Sequence, residues 1–211
     1  GVGPPRGQTL QGSRWVVVDV ESTGLDIHRD HLLAIGAIGV TGSALAPSDS
    51  LEAVLKQGVA SSSENILVHH ITGSEQRGGQ PPAEALDAFL DFANPERTAG
   101  CVGYHAAFDE AMLKRACKQH GLRMPTALAF LDLADLAPAL VPGVLPAKAP
   151  LDDWLAYFGI RIDQRHHAVS DALGTAQLFL ALRAIALASN VTTSAGLFEW
   201  AASQRWLNRG G

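Results

Sequence analysis

The chain has little sulfur, little aromatic surface and little positive charge, and each shortage narrows what it can be. Its 211 residues include two cysteines, Cys101 and Cys117, which form no CxxC pair. That leaves no disulfide framework to expect, and a reducing compartment is the default. Lys and Arg number 16 against 21 Asp and Glu, a formal net charge of −5. Binding nucleic acid through a broad basic face that neutralises phosphates is therefore not expected. Bound cations can still supply a positive field locally. No uncharged apolar run reaches the length of a membrane span, and no charged start, apolar middle and small-residue cleavage site opens the chain. The expectation is a soluble, cytoplasmic protein with no membrane partner. The chain starts Gly1-Val2-Gly3 without an initiator methionine, as a trimmed chain or a piece of a longer one would.

What is present is an ordinary globular composition. With 47% hydrophobic and 18% charged residues, the chain can fill the core of one domain of generous size. Residues 1–13, rich in Gly, Pro, Gln and Ser, read as a flexible lead-in. A β-branched run over 15–20 reads as a buried strand that stops at the turn Ser22-Thr23-Gly24. A second apolar run over 32–40 pairs with it as a hairpin. Gly36, Gly39 and Gly42 fall in or beside that run rather than between a strand and a helix, so they do not read as a phosphate loop. A third, edge strand is expected over 51–56. Pro81 and Pro82 then open a helix striped with Leu86, Phe89, Leu90 and Ala93.

Further along, 99–104 reads as a short strand and 107–120 as a helix closed by Gly121. Another strand is expected over 130–133. Pro138, Pro142, Pro146 and Pro150 predict a loop too proline-rich to be helical. Short and long helices follow over 151–158 and 168–187, the long one apolar nearly all round and hence buried. The final amphipathic stretch over 194–207 carries Trp200 and Trp206, and reads as a lid on the core in preference to a docking helix. Hairpin strands followed by alternating helices and strands predict an α/β fold, a mixed sheet covered by helices.

Four acids stand out in this frame. Asp19 and Glu21 are two apart at the end of an apolar strand, so they point to one face. At about 4 Å, two such charges repel by about 4 kcal/mol at an effective dielectric near 20. A hard divalent cation is the usual way to offset that, although a strand end with two solvated acids is the plainer reading of the pair alone. Asp109 and Asp171 lie near helix starts, where a favourable dipole explains each singly. Together the four lie where strand ends and helix starts converge on one edge of a mixed sheet, which points to a shared site.

Three segments carry a resemblance. Val18-Asp19-Val20-Glu21-Ser22-Thr23-Gly24-Leu25, Val102-Gly103-Tyr104-His105-Ala106-Ala107-Phe108-Asp109 and His166-His167-Ala168-Val169-Ser170-Asp171-Ala172 resemble, in order, the DxExTGL, A-x-F-D and HxAxxDA motifs of the DEDDh (DnaQ-like) 3′–5′ exonucleases, the family of the polymerase III epsilon subunit. Val68-His69-His70-Ile71-Thr72 is a weaker match to V-H-G-I-T. The resemblance implies a ribonuclease H-like domain over 14–190, with a five-stranded mixed sheet flanked by helices and a C-terminal helix over 191–211 packed on it. It also implies two Mg²⁺ or Mn²⁺ ions held by Asp19, Glu21 and Asp171, with Asp109 acting directly or through water, and Glu21 counted among the catalytic groups. His166, five positions before Asp171, is the implied general base, with His167 as its solvated neighbour. Ser22, Thr23, Gly24, Leu25, His69 and Phe108 are the implied contacts to the terminal nucleotide.

The expected partner is nucleic acid with a free 3′ end, single-stranded DNA before RNA or short oligonucleotides; a polymerase or a second copy of the chain is left open. Two departures bear on substrate preference more than on catalysis: Tyr104-His105 stands where the family usually has His-Asn, and His70 where it has Gly. Lys114, Arg115, Lys118 and Arg123 form a local basic cluster, read as a solvated helix face in preference to a strand-guiding patch. The rival readings are a non-catalytic nucleic-acid or protein-binding module and an endonuclease on the same fold. The intact set of acids with His166 argues against the first.

Overall fold

The computed structural model describes residues 8–58, 78–162 and 168–209. Strands β1 (Arg14–Ser22), β2 (Leu32–Thr41) and β3 (Ala44–Val54) run as an antiparallel meander. After them come α1 (Pro82–Phe92), β4 (Cys101–Gly103), α2 (Ala106–Gln119), β5 (Phe130–Asp132), α3 (Leu133–Leu140), α4 (Leu151–Tyr157), α5 (Ala168–Ala188) and α6 (Ser194–Arg209). The sheet order is β3-β2-β1-β4-β5, with β4 parallel to both β1 and β5. This is the mixed five-stranded sheet that the resemblance implies.

The alternation of β1 divides the core into two layers. Val16, Val18 and Val20 face the layer that holds Leu86 and Phe89 of α1 with Met112 and Leu113 of α2. Trp15 and Val17 face the other layer, with Phe179 and Leu182 of α5, Leu133 of α3 and Leu197 of α6. A strand buried on both faces needs apolar residues at every position. Asp19 and Glu21 break that rule. They share the parity of Trp15 and Val17, so the pleat directs them to the α5 side.

Helix α5 is apolar all round because it is the central helix of that layer. By length and composition Asp171–Ala188 could cross a membrane, and half of it is buried within the fold. Its one buried cation, Arg183, donates to the carbonyl of Leu10 at 3.0 Å and to that of Gly42. This accounts for a correction to the expected lead-in. Leu10 is fully buried, its N–H donates to Thr192 at 2.8 Å, and Thr9 bridges Thr193. From residue 8 onward the segment is bound to the domain by backbone bonds, which Gly, Gln and Ser content does not reveal.

Two other expectations are corrected. The edge strand β3 starts at Ala44, well before 51, and accommodates Pro47 because an edge strand can lose an N–H donor without breaking the ladder. The segment beginning the proline-rich stretch is helical, with Pro138 inside α3. Asp132 caps that helix, accepting from Ala134 N at 2.9 Å, and Leu133, Leu136 and Ala137 are buried. Burial of that face outweighs the hydrogen bond that Pro138 cannot make.

Candidate active site

Strand β4 ends at Gly103, having paired with β1 only along Val16 and Val17. Beyond that point the N–H of Val20 has no strand beside it. Asp109, in the first turn of α2, supplies the acceptor: its Oδ1 takes the Val20 N–H at 3.0 Å, and the residue is 4% exposed. From the other side of the sheet, α5 brings Asp171 to the end of β1. Ligand oxygens of Asp19, Glu21 and Asp171 all lie within 4.8 Å of one another, and each residue keeps partial exposure. Asp109 stands beside this trio, tied to the backbone between its two β1 members.

These carboxylates repel one another in a setting that disfavours charge. Burial pushes the Asp19 carboxyl well above its ordinary range, and the charges of Asp109, Glu21 and Asp171 push it further. Burial also raises Glu21 to about 8, assisted by a hydrogen bond with Asp171 and by the charges of Asp171 and Asp109. Asp109 is raised to about 7 by burial, while the Val20 N–H draws it the other way. Among the described residues no Lys or Arg forms an ion pair with any of the four. Such a donor set, oxygen only and short of positive charge, fits hard divalent cations.

A pH dependence follows. Glu21 and Asp109 keep protons in the folded state at pH values where the unfolded chain has released them. Stability is therefore fully present below the ordinary carboxylate range and is lost as pH rises through about 7 and about 8. In EDTA the melting temperature should fall between about pH 5 and about pH 8, with Glu21→Gln flattening the fall. Saturating Mn²⁺ should remove it. A metal-free melting temperature that stays level or climbs over that range would show that these carboxyls ionise normally.

Thr23, Gly24 and Leu25 open the turn joining β1 to β2, and Leu25 is 86% exposed, so a core role for it is ruled out. Phe108 is partly buried against the α1–α2 layer. Tyr104 and His105 acquire a structural reason. His105 lies at φ 59, the left-handed region, at the N-terminus of α2. Asn and His are among the side chains that enter this region most readily, so His105 suits the backbone that this corner takes. The Tyr104 hydroxyl donates to the Ala149 carbonyl, tying this corner to the loop before α4. His69, His70, His166 and His167 lie outside the described residues.

In the basic cluster Lys114, Lys118 and Arg123 are exposed, as a solvated helix face requires, whereas Arg115 is half-buried. Its Nη1 donates to the carbonyls of Ile27, at 3.2 Å, and Asp30. Asp30 itself is not among the expected site residues, and no motif marks it.

With this geometry established, comparison with known proteins assigns the family. The exonuclease family model matches residues 16–179, from Val16 on β1 to Phe179 in the middle of α5. The chain belongs to the exonuclease family. Its DnaQ-like 3′–5′ branch is the one that the quoted motifs resemble, and the matched range takes in all three of them. The PolC-type DNA polymerase III of Caldanaerobacter subterraneus subsp. tengcongensis is 29% identical over 172 residues, covering 82% of this chain; the chain spans 12% of that relative's length. Among solved structures, E. coli exonuclease I in complex with a dT13 oligonucleotide is similar with a TM-score of 0.69 at 17% identity, over 82% of this chain and 42% of that one. A zinc-bound E. coli exonuclease I complex with single-stranded DNA gives 0.69 at 18% identity, over 90% of this chain and 43% of that one. At that identity the likeness concerns the fold, the ribonuclease H-like sheet with its flanking helices.

Proposed function

We propose that the chain is a 3′–5′ exonuclease dependent on two divalent cations, Mg²⁺ or Mn²⁺, that releases nucleoside 5′-monophosphates from single-stranded DNA. The observation that carries this reading is the meeting of Asp19, Glu21 and Asp171 within 4.8 Å beside buried Asp109. Two cations bound there supply the charge that stabilises the attacking and leaving oxygens of an in-line displacement at phosphorus. Asp19, Glu21 and Asp171 hold them, and Asp109 contributes directly or through water.

In this reading His166 takes a proton from the attacking water, for which an ordinary imidazole pKa near 6.5 is suited at neutral pH. The water oxygen forms a bond to phosphorus, the bond from phosphorus to the 3′ oxygen of the preceding nucleotide breaks, and that oxygen recovers a proton. The Ser22–Thr23–Gly24 backbone orients the terminal 3′-OH. Leu25, His69 and Phe108 pack against the terminal base, a contact that accepts any base. The oligonucleotide bound by exonuclease I supports the choice of single-stranded DNA, with RNA as the alternative. The PolC-type relative supports a polymerase partner, in the same chain or another.

Digestion of 5′-labelled single-stranded DNA and RNA, with free and blocked 3′ ends, tests the reading. Stepwise shortening of the free-ended DNA in Mg²⁺ or Mn²⁺, abolished by EDTA and by the block, is the expected result. Cleavage that ignores the block would make the protein an endonuclease. Binding without cleavage at any metal concentration would make it a binding module.

A further inference from the structure

The turn between β1 and β2 is bonded far more heavily than a connection of its length requires. Thr23 N donates to the His31 carbonyl at 2.9 Å, and His31 N donates to Thr23 Oγ1 at 2.8 Å. Asp30 joins the two halves: its Oδ1 accepts from Thr23 Oγ1 at 2.8 Å and its Oδ2 from Asp26 N at 2.8 Å. Its own N–H donates to the Asp26 carbonyl at 2.8 Å. The carboxylate also fills the space over Gly24, where a Cβ would stand 2.5 Å from Oδ2. From across the layer, the Arg115 guanidinium of α2 holds the outer arm through the carbonyls of Ile27 and Asp30.

All this ordering surrounds one exposed apolar side chain. Surface turns ordinarily carry polar residues and tolerate motion, yet this one fixes Leu25 with 86% of its surface in water. Hydrogen bonds that restrain a turn do not by themselves gain burial for its tip. They do lower the entropy lost when that tip meets a ligand.

We propose that Asp30, with Arg115 behind it, is a positioning residue that pre-sets Leu25 for contact with the 3′-terminal base. The inference rests on the exonuclease reading above and extends it to two residues outside the motifs. Asp30 touches neither substrate nor cation; it acts through Thr23, Gly24 and Asp26 on the side chain between them. Losing the carboxylate frees the turn, so the base contact of Leu25 weakens most and the backbone contact of Thr23 and Gly24 to the 3′-OH weakens less, while the cations keep the reacting phosphate in place.

The test compares two oligonucleotides with the full chain: one ending in an ordinary nucleotide, the other in an abasic 3′ nucleotide. On the ordinary end, Asp30→Ala and Arg115→Gln should each raise KM about tenfold with kcat within about twofold, as Leu25→Ala should. On the abasic end Leu25→Ala should lie within about twofold of the wild type, since its contact is already missing, while Asp30→Ala and Arg115→Gln should keep only the smaller loss that comes from a looser Thr23–Gly24 contact to the 3′-OH. Equal losses on both ends would mark Asp30 as a general structural residue and overturn the proposal, as would no loss on either. Using both Asp30→Ala and Arg115→Gln guards against one variant failing to fold, because each loosens the turn from a different side. A wild-type chain that shortens neither oligonucleotide would instead defeat the exonuclease reading, and this inference with it.

Discussion

Asp19→Asn is expected to cut turnover by about 10³-fold or more while making the metal-free protein more stable. The two effects share one cause. Asp19 lies at the centre of the acidic group, its carboxyl raised by burial and by three neighbouring acids. The amide keeps the shape of the side chain and removes its charge, so the repulsion with Glu21 and Asp171 is relieved. The donor needed for a cation is lost with it, and cation stabilisation of a phosphoryl transition state is worth several kcal/mol, about a decade in rate for each 1.4. Steady-state turnover in Mn²⁺, Mn²⁺ titration calorimetry and calorimetric melting in EDTA measure the three consequences. Turnover within tenfold of the wild type would take Asp19 out of the proposed ligand set.

His166→Ala is expected to lower kcat by about 10²–10⁴-fold, the usual range for a general base, with Mn²⁺ affinity largely retained. It separates proton transfer from cation binding, which Asp19→Asn cannot do. A base acting on water also leaves a mark on the pH profile: the rise of kcat with pH on the acidic side should be lost in the variant. His167→Ala serves as the internal control, since the motif spacing singles out the histidine five positions before Asp171. A loss with His167→Ala and none with His166→Ala would transfer the role to the neighbour.

Much of the site is legible in the sequence because its parts are local. Asp19 and Glu21 are two residues apart on one strand, and the alternation of side chains is enough to place them on one face. Asp109 and Asp171 each begin a helix after a recognisable strand or loop. The departure at Tyr104-His105 is visible too, but its meaning is not. A left-handed φ of 59 belongs to the backbone, and a His in place of Asn gives no sign of it in the sequence. Pro138 misleads for a related reason: proline content reports the lost hydrogen bond, whereas the buried face of α3 that offsets it is made by α6 and α5. The lead-in misleads in the same way, because Leu10 is held by Arg183, a residue 173 positions away.

By itself, then, the sequence determined the identity of the acids, their order along the chain, the mixed sheet and the family resemblance, since each depends on spacing within a strand, a helix or a motif. Only the tertiary structure decided that Asp19, Glu21 and Asp171 meet within 4.8 Å, that Asp109 takes up the Val20 N–H left where β4 stops, and that Asp30 and Arg115 brace the turn that leaves Leu25 out in water. Those outcomes depend on where one strand ends relative to its neighbour and on which helix crosses its face. Such relations join residues far apart in the chain, and no local pattern encodes them.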